Sequence, residues 1–387
     1  MKRILSVKNC SGCGACASKC SQKCIKMIEN SDGFVYPYID VDVCINCNTC
    51  ESACPVLNPS RRESAPTVYA VNSKDNNVRR NSSSGGVFSL ISEYVLNHNG
   101  VVFGAAFNKS DFSVNHIYVE DINDLSLLRG SKYIQSNIGN SYISAESFLK
   151  NGRLVLFTGT PCQIAGLKSF LKKDYSNLIC QDLVCHGCSS FLVFQKYLDY
   201  VSNKTIDDIE SVSFRNKKYG WNNFSVSIRF RSKHEYNNIH TNDPFMRAFL
   251  FNLSLRDSCY DCPFKDFPYI SDITLADYWG VSRFHPELND DLGTSLVIVN
   301  SNKGKELFDL ISDGTEFCKA DLDEARMYNP TIFHSVKRPE IRDAFFNDLR
   351  DYDFSYANTK YLRIGKKELY RTYRSRILKR FKKFLHK

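Results

Sequence analysis

Apolar residues recur at Val87, Leu90, Ile91, Tyr94 and Val95, the three-and-four spacing of one helix face. The run at 101–107 that follows has no polar break and reads as a buried strand. Strand and helix patterns then alternate along the chain. Residues 68–71 and 112–119 read as strands, Asp121 caps a short helix through Leu128, and 142–149 form a helix closed by Gly152. Residues 153–157 predict a strand that passes through Thr158-Gly159-Thr160-Pro161 into a helix ending near Leu171. Thr160 suits the N-cap and Pro161 the first helical position. Residues 178–184 repeat the strand, 185–190 repeat the turn, and a helix runs on to about Val201. Two such units in succession predict parallel pairing, with both loops at the end of the sheet where open α/β sheets bind ligands. Residues 211–215 and 224–230 alternate like antiparallel strands, 243–251 read as a helix, 273–276 and 294–299 as strands, and 303–311 as a helix. Beyond Gly314 the pattern is mixed until the tail.

Composition adds two facts. The net charge of +9 is concentrated, because the stretch from Arg363 to Lys387 holds eleven Lys or Arg against Glu368 and so carries +10, leaving −1 for the rest. A basic tail on a near-neutral body argues against a nucleic-acid-binding core. In that tail Leu369, Tyr370, Tyr373, Ile377, Phe381, Phe384 and Leu385 fall at helical spacing between basic residues, which predicts an amphipathic helix. Such a helix suits an anionic membrane surface, an acidic partner or its own domain. No signal peptide and no apolar run of spanning length is apparent, so a cytoplasmic, reducing location is expected, with peripheral contact at the inner face of the membrane open to the tail.

Sixteen cysteines change the picture more. Cys10, Cys13, Cys16 and Cys20 follow C-x2-C-x2-C-x3-C, and Cys44, Cys47, Cys50 and Cys54 repeat it 34 residues later. A thiolate every three residues on a Gly-containing loop wraps an iron–sulfur cubane, and the fourth cysteine of each run serves the other cluster. The expected sets are therefore Cys10, Cys13, Cys16 and Cys54 for one [4Fe-4S] cluster and Cys44, Cys47, Cys50 and Cys20 for the second. Two identical four-cysteine runs exceed what a zinc site needs, and disulfides need an oxidising compartment. Cys24 fits no ligand position and reads as a small buried residue; Cys180 lies within a strand, Cys318 has no cysteine partner nearby, and both read as structural.

A lone C-x2-C at Cys259 and Cys262 needs two more ligands. Cys162, in a first helical turn, and Cys185, in the equivalent loop of the next unit, supply them. A third [4Fe-4S] cluster and a zinc ion both satisfy these four residues, and Cys188 can stand in for Cys185. The Ser82-Ser83-Ser84-Gly85-Gly86 loop, opening a helix, offers backbone N–H groups and hydroxyls to a phosphate or pyrophosphate, or is simply a cap and turn.

The fold expected is α+β: a small 2[4Fe-4S] ferredoxin-like domain, then an α/β flavin-binding body with a mixed sheet, then a C-terminal amphipathic helix. The expected boundaries are 1–58 for the ferredoxin domain, 67–152 and 153–345 for the two parts of the body, and 346–387 for the tail. Residues 58–67 read as a linker.

The chain resembles the coenzyme F420 hydrogenase/dehydrogenase beta-subunit family, in the form with an N-terminal two-cluster ferredoxin domain. The resemblance rests on Ser83-Ser84-Gly85-Gly86-Val87-Phe88, Gly130-Ser131-Lys132-Tyr133, the stretch from Thr158-Gly159-Thr160-Pro161-Cys162-Gln163 to Leu167, Val184-Cys185-His186-Gly187, Cys259-Tyr260-Asp261-Cys262, and Asp272 through Gly280. It implies FAD in the body beside an inner cluster ligated by Cys162, Cys185, Cys259 and Cys262. By motif position it makes Ser84, Gly85, Gly86, Lys132, Thr158, Gly159 and Thr160 the FAD candidates. Relatives tend to carry a non-cysteine residue where Cys188 stands. The activity implied is an FAD- and [4Fe-4S]-dependent oxidoreductase, with ferredoxin or reduced F420 as redox partner and a small or glycan-related substrate, in keeping with polysaccharide biosynthesis. The alternative is an electron-transfer beta subunit serving a separate catalytic partner. No catalytic residue is assigned; His186, Lys132 and Asp277 are candidate proton donors near the flavin.

Overall fold

A computed structural model describes residues 9–60, 65–203, 208–265, 267 and 269–363. The first segment holds a hairpin of β1 (Ile25–Glu29) and β2 (Val35–Ile39), flanked by the short helices α1 (Ala15–Lys19) and α2 (Thr49–Ser52). Gly12, Gly14, Asn46 and Asn48 all take positive φ, which bends each cysteine loop back on itself before its helix. That is why glycine and asparagine sit between the thiolates. The hairpin itself is not apparent from the sequence, because its strands are mostly half-exposed and carry little alternation.

The body is built on one sheet of eight strands in the order β13-β3-β12-β11-β7-β6-β4-β5. In chain order these are β3 (Thr67–Ser73), β4 (Val101–Phe107), β5 (Val114–Val119), β6 (Val155–Thr158), β7 (Leu178–Leu183), β11 (Ile273–Asp277), β12 (Ser295–Val299) and β13 (Thr315–Lys319), with β8 (Ile209–Asn216), β9 (Ser225–Phe230) and β10 (Glu235–Ile239) forming a separate antiparallel sheet. Strands β4, β6, β7 and β11 pair in parallel, and β3 runs the same way through its antiparallel neighbour β12. The expected parallel pairing of residues 153–157 with 178–184 is borne out, in a mixed sheet that draws strands from both sides of residue 152. β5, β12 and β13 run against this direction. β13 escaped the sequence pattern because it is an edge strand with an exposed Glu316 and Phe317.

Helices α3 (Asn76–Arg80), α4 (Val87–Asn97), α5 (Ser141–Lys150), α6 (Pro161–Leu171), α7 (Phe191–Val201) and α8 (Pro244–Leu250) cover the sheets. One apolar cluster under α4 contains Val87, Ile91 and Val95 against Val102, Leu156 and Val297. A second packs Ile164, Leu167 and Phe170 of α6 against Val101, Phe103 and Phe157 on the other side. The sheet is thus covered on both faces, and the loops at the C-terminal ends of β3, β6, β7 and β11 are left to meet one another.

The hairpin domain is seated on this body. Cys13 belongs to the apolar cluster of α6, and a Cβ on Gly166 would come within 3.1 Å of the Cys13 sulfur. Asp32, beside the turn between β1 and β2, pairs with Arg342 at 3.4 Å and Arg350 at 2.5 Å. Gly33 of the same turn lies so close to α7 that a Cβ there would meet Leu192 at 2.6 Å. The helices Arg342–Asp351 and Phe354–Tyr361 bury Phe345, Phe346, Leu349 and Phe354 in the cluster that contains α7. The basic amphipathic helix expected over residues 369–385 lies outside the described residues. Among the described residues, no helix is long and apolar enough to cross a membrane.

Candidate redox site

The two four-cysteine runs interleave. Cys10, Cys13, Cys16 and Cys54 line one small cavity together with Ser11, Gly12, Met27, Pro37 and Pro55. The structure thus brings together the first three cysteines of run one and the last of run two. Cys13, Cys16 and Cys54 are buried, and burial pushes the Cys16 thiol up to about 12. Thiols held so high stay protonated unless a cationic core takes the charge, so ligation here is coupled to proton release.

The other set is turned outward. Cys47 is exposed, Cys44 and Cys20 are half-exposed, and only Cys50 is buried. Cys24 is not remote from it: the Cys20 and Cys24 sulfurs are 3.4 Å apart. Val41, Val43 and Ile45 stand exposed along the same loop.

The inner set is assembled from three loops. Cys162 lies in the first turn of α6, Cys185 and Cys188 in the turn after β7, and Cys259 and Cys262 in the turn after α8. All five line one cavity with Ser11, Gln135, Arg256 and Lys265. Burial pushes the Cys259 thiol up to about 12 and the Cys162 thiol up to about 11. Cys185 differs. The thiol of Cys188 hydrogen-bonds to it, and with Lys265 nearby its pKa falls to about 7, while that of Cys188 rises well above the ordinary value. Lys265 Nζ also binds the Cys185 carbonyl.

Sulfur spacing bears on zinc. A zinc tetrahedron with Zn–S near 2.3 Å holds its sulfurs about 4 Å apart. Among the described residues, only His285, Glu287 and Cys318 bring three ligand atoms within 4.8 Å of one another. Among the described residues the cysteine sets do not form so tight a group. The hydroxyl of Ser11 is buried against Cys162, where cluster sulfur would accept from it. These observations fit the residues to [4Fe-4S] clusters. Cys318 Sγ hydrogen-bonds with His285 Nδ1 at 3.1 Å.

Next to the inner set opens a cavity of about 680 Å³. It meets the C-terminal ends of the central strands, and Cys162, Cys185, His186, Gly187 and Cys188 form part of its wall. Its size suits a cofactor. Six of the seven flavin candidates, Ser84, Gly86, Lys132, Thr158, Gly159 and Thr160, line it. Gly85 serves from behind: a Cβ there would meet the Val71 carbonyl at 2.3 Å and the Ser295 amide at 2.7 Å, so the loop can lie flat on β3 and β12 only with glycine. Gly86 begins α4 with no side-chain cap, which leaves first-turn N–H groups for an anion. Thr160 opens α6 as expected, its amide donating to Gln163 Oε1 at 3.0 Å. Thr158 turns its hydroxyl inward to the Phe103 carbonyl at 2.8 Å.

The candidate proton donors are engaged. Lys132 Nζ donates to the carbonyls of Leu127, Leu128 and Arg129 at 3.1, 3.1 and 2.9 Å, closing the short helix capped by Asp121. Burial lowers its pKa to about 7. His186 holds Asn252 Oδ1 at 2.8 Å, and burial lowers its pKa. Asp277 binds Arg215 at 2.7 and 2.9 Å and the Trp221 indole N–H at 3.1 Å.

Sequence reasoning missed the far wall. Arg215 of β8 is buried between Phe224 and Trp279, 4.1 and 5.3 Å from their ring centres, and donates to the Ser83 carbonyl at 3.0 Å. Trp221 stacks on Trp279 at 4.6 Å. Lys217 Nζ holds the Ser84 carbonyl at 2.9 Å and the Arg79 carbonyl at 2.6 Å. Thus β8 reaches over from the second sheet and fixes the Ser/Gly loop. His116, also lining the cavity, is kept neutral by burial, which lowers its pKa to about 4; its Nε2–H donates to the Thr158 carbonyl at 2.8 Å.

Comparison with known proteins gives these features a family. Residues 152–325 match the model for the C terminus of the coenzyme F420 hydrogenase/dehydrogenase beta subunit, and residues 9–58 match the 4Fe-4S dicluster domain. Residues 152–325 thus resemble the C-terminal domain of this beta-subunit family, behind a 4Fe-4S dicluster domain. The F subunit of the F(420)H(2) dehydrogenase of Methanosarcina mazei is 23% identical over 228 residues, 54% of this chain and 63% of that protein. The match therefore spans less than two thirds of that relative's length. A chain of the F420-reducing [NiFe] hydrogenase complex from Methanosarcina barkeri, solved as a xenon derivative, aligns at 17% identity with a TM-score of 0.49, over 69% of this chain and 88% of its own. The resemblance read from the motifs is borne out, and with it an iron–sulfur protein of an oxidoreductase family.

Proposed function

We propose that this beta-subunit-like chain is a flavin- and iron–sulfur-dependent electron conduit between a deazaflavin of the F420 class, bound at the large cavity, and a one-electron protein partner met at the outward cysteine set. One observation carries the reading: the three cavities share walls. The large cavity shares Cys162, Cys185, His186, Gly187, Cys188 and Gln135 with the inner cysteine cavity, and that one shares Ser11 with the cavity of Cys10, Cys13, Cys16 and Cys54. An FAD bound in the large cavity would exchange electron pairs with a substrate and single electrons with the clusters.

The chain's own residues do the rest. First-turn amides of α4 and the Ser83–Ser131 hydroxyl pair, at 2.9 Å, offer donors to a pyrophosphate. Trp279, Phe224 and Tyr133 give apolar walls for a planar ring. Gln163 and Gln181 stand on the strand side as neutral polar groups. His116, neutral and hydrogen-bonded on both nitrogens, orients the Thr158–Gly159 turn.

The family match, together with a relative that is one subunit of an F(420)H(2) dehydrogenase, supports F420 as the pair-wise substrate and a separate catalytic subunit as partner. The exposed Cys47 with Val41, Val43 and Ile45 beside it favours delivery through protein contact. In the second reading the partner supplies electrons inward and the cavity reduces a small or glycan-related substrate of its own; the cavity's direct opening beside the flavin candidates is what it rests on. Anaerobic mixing of the purified chain with reduced F420 separates them. Bleaching of cluster absorbance, followed by reduction of an added ferredoxin-type protein, is expected. No cluster reduction by reduced F420, with full reduction by a ferredoxin, would reject the first reading.

A further inference from the structure

Arg256 lies between two of the cysteine sets. It is 1% exposed. Its Nε donates to the Cys10 carbonyl at 2.9 Å, and its two terminal nitrogens to Gln135 Oε1 and the Val35 carbonyl, both at 3.0 Å. Its backbone belongs to the other site: its N–H donates to the Cys188 carbonyl at 3.0 Å, and its carbonyl accepts from Cys259 N–H at 2.9 Å. The guanidinium rides on the ring of Tyr36, 4.0 Å from its centre. A Cβ on Gly12 would meet one Nη at 3.0 Å, so the first cysteine loop is moulded against it. All three acceptors of the side chain are neutral oxygens, and among the described residues it forms no ion pair. A buried guanidinium with neutral partners alone is costly and calls for a counter-charge. A cubane with four thiolates is a net anion, and the Cys10 and Cys259 loops would place one on either side.

We propose that Arg256 is the electrostatic bridge of the relay: its charge raises the electron affinity of the Cys10/13/16/54 cluster and of the inner cluster together, and leaves the outward Cys20/44/47/50 cluster behind. This rests on the reading of the three sets as clusters. It makes Arg256 a positioning residue with a directional effect. With Lys265 as a second cation beside Cys185, electron affinity rises from the exposed end toward the cavity.

The test is an anaerobic redox titration of the full-length holoprotein followed by electron paramagnetic resonance, with the signals assigned through Cys47→Ser and Cys162→Ser. Arg256→Gln is expected to lower the reduction equilibrium constant of the first and inner clusters at least tenfold, which is about 59 mV for one electron, and that of the outward cluster less than about threefold. Arg256→Lys, which keeps the charge, stays within about threefold of wild type. Gln135→Glu sets a carboxylate on the guanidinium without removing it, and lowers the same two clusters. If Arg256→Gln loses its clusters on purification, Gln135→Glu decides alone. Unchanged potentials in the surviving variants, or an equal shift of all three clusters, would overturn the proposal. Should iron analysis show the inner cluster absent, the parent reading fails separately, and the shift of the Cys10 set still tests Arg256.

Discussion

The two four-cysteine runs are copies by spacing, yet the body treats them differently. The set containing Cys10 and Cys13 is pressed against α6, shares Ser11 with the inner site and carries buried sulfurs. The set containing Cys47 faces outward, with exposed apolar side chains along its loop. A duplicated, nearly symmetrical motif thus acquires an inside and an outside from what packs on it. The difference teaches that direction in a relay is a property of packing. Spacing decides which sulfurs meet; the surroundings decide electron affinity and access.

The comparison breaks most severely if the inner link is removed. Cys162→Ser should lower iron from about twelve to about eight per chain and abolish electron passage between F420 and the outward cluster, while the dicluster signals persist. Loss of all three clusters would instead mean that the inner site holds the domain in place. Cys47→Ser should act on the outer half alone: reduction of a protein acceptor is lost, and reduced F420 still bleaches the first and inner clusters. An equal loss on both sides would contradict the inside–outside distinction. A smaller effect is expected where the Ser/Gly loop meets the sheet. Gly85→Ala forces a Cβ into Val71 and Ser295, so it should cost about 1–3 kcal/mol in thermal stability and lower flavin occupancy.

The smallest effect sharpens the wall behind the inner site. Asp182 of β7 is buried against Ser271 and Thr274 at 2.7 and 2.5 Å, and burial raises its pKa to about 7. Between about pH 4 and 7 the folded chain therefore holds a proton that the unfolded chain has released, so this group makes stability fall as pH rises through that window. Thermal melts of Asp182→Asn across this range should show a shallower decline than wild type. An identical slope would assign the pH dependence elsewhere.

What was legible in the sequence follows the reach of each interaction. The eight cysteines of the dicluster domain sit within one loop-and-turn repeat, so spacing alone grouped them. Thr160-Pro161 announced α6, and two successive strand–turn–helix units announced the parallel pairing of β6 with β7. The inner set needed tertiary closure over about a hundred residues, and spacing there left zinc and Cys188 open. The pairing of Arg215 with Asp277, and of Trp221 with Trp279, was invisible because each joins segments far apart in the chain and Arg215 and Trp221 lie outside every motif. Gly85 was singled out by motif as a flavin candidate; its close approach to β3 and β12 exists only in three dimensions. Edge strand β13 had no pattern to betray it, since many of its side chains are exposed, whereas the helix Arg342–Asp351 carries one in Phe345, Phe346 and Leu349.

The central claim is that three cysteine sets hold clusters leading to a flavin. Iron, acid-labile sulfide, zinc and flavin per chain after anaerobic purification test it most directly. The account predicts about twelve irons, about twelve sulfides, one flavin and no zinc. About eight irons with one zinc would make the inner set structural and sever the path from Cys10 to the cavity, and full iron with no flavin would leave the cavity without its converter.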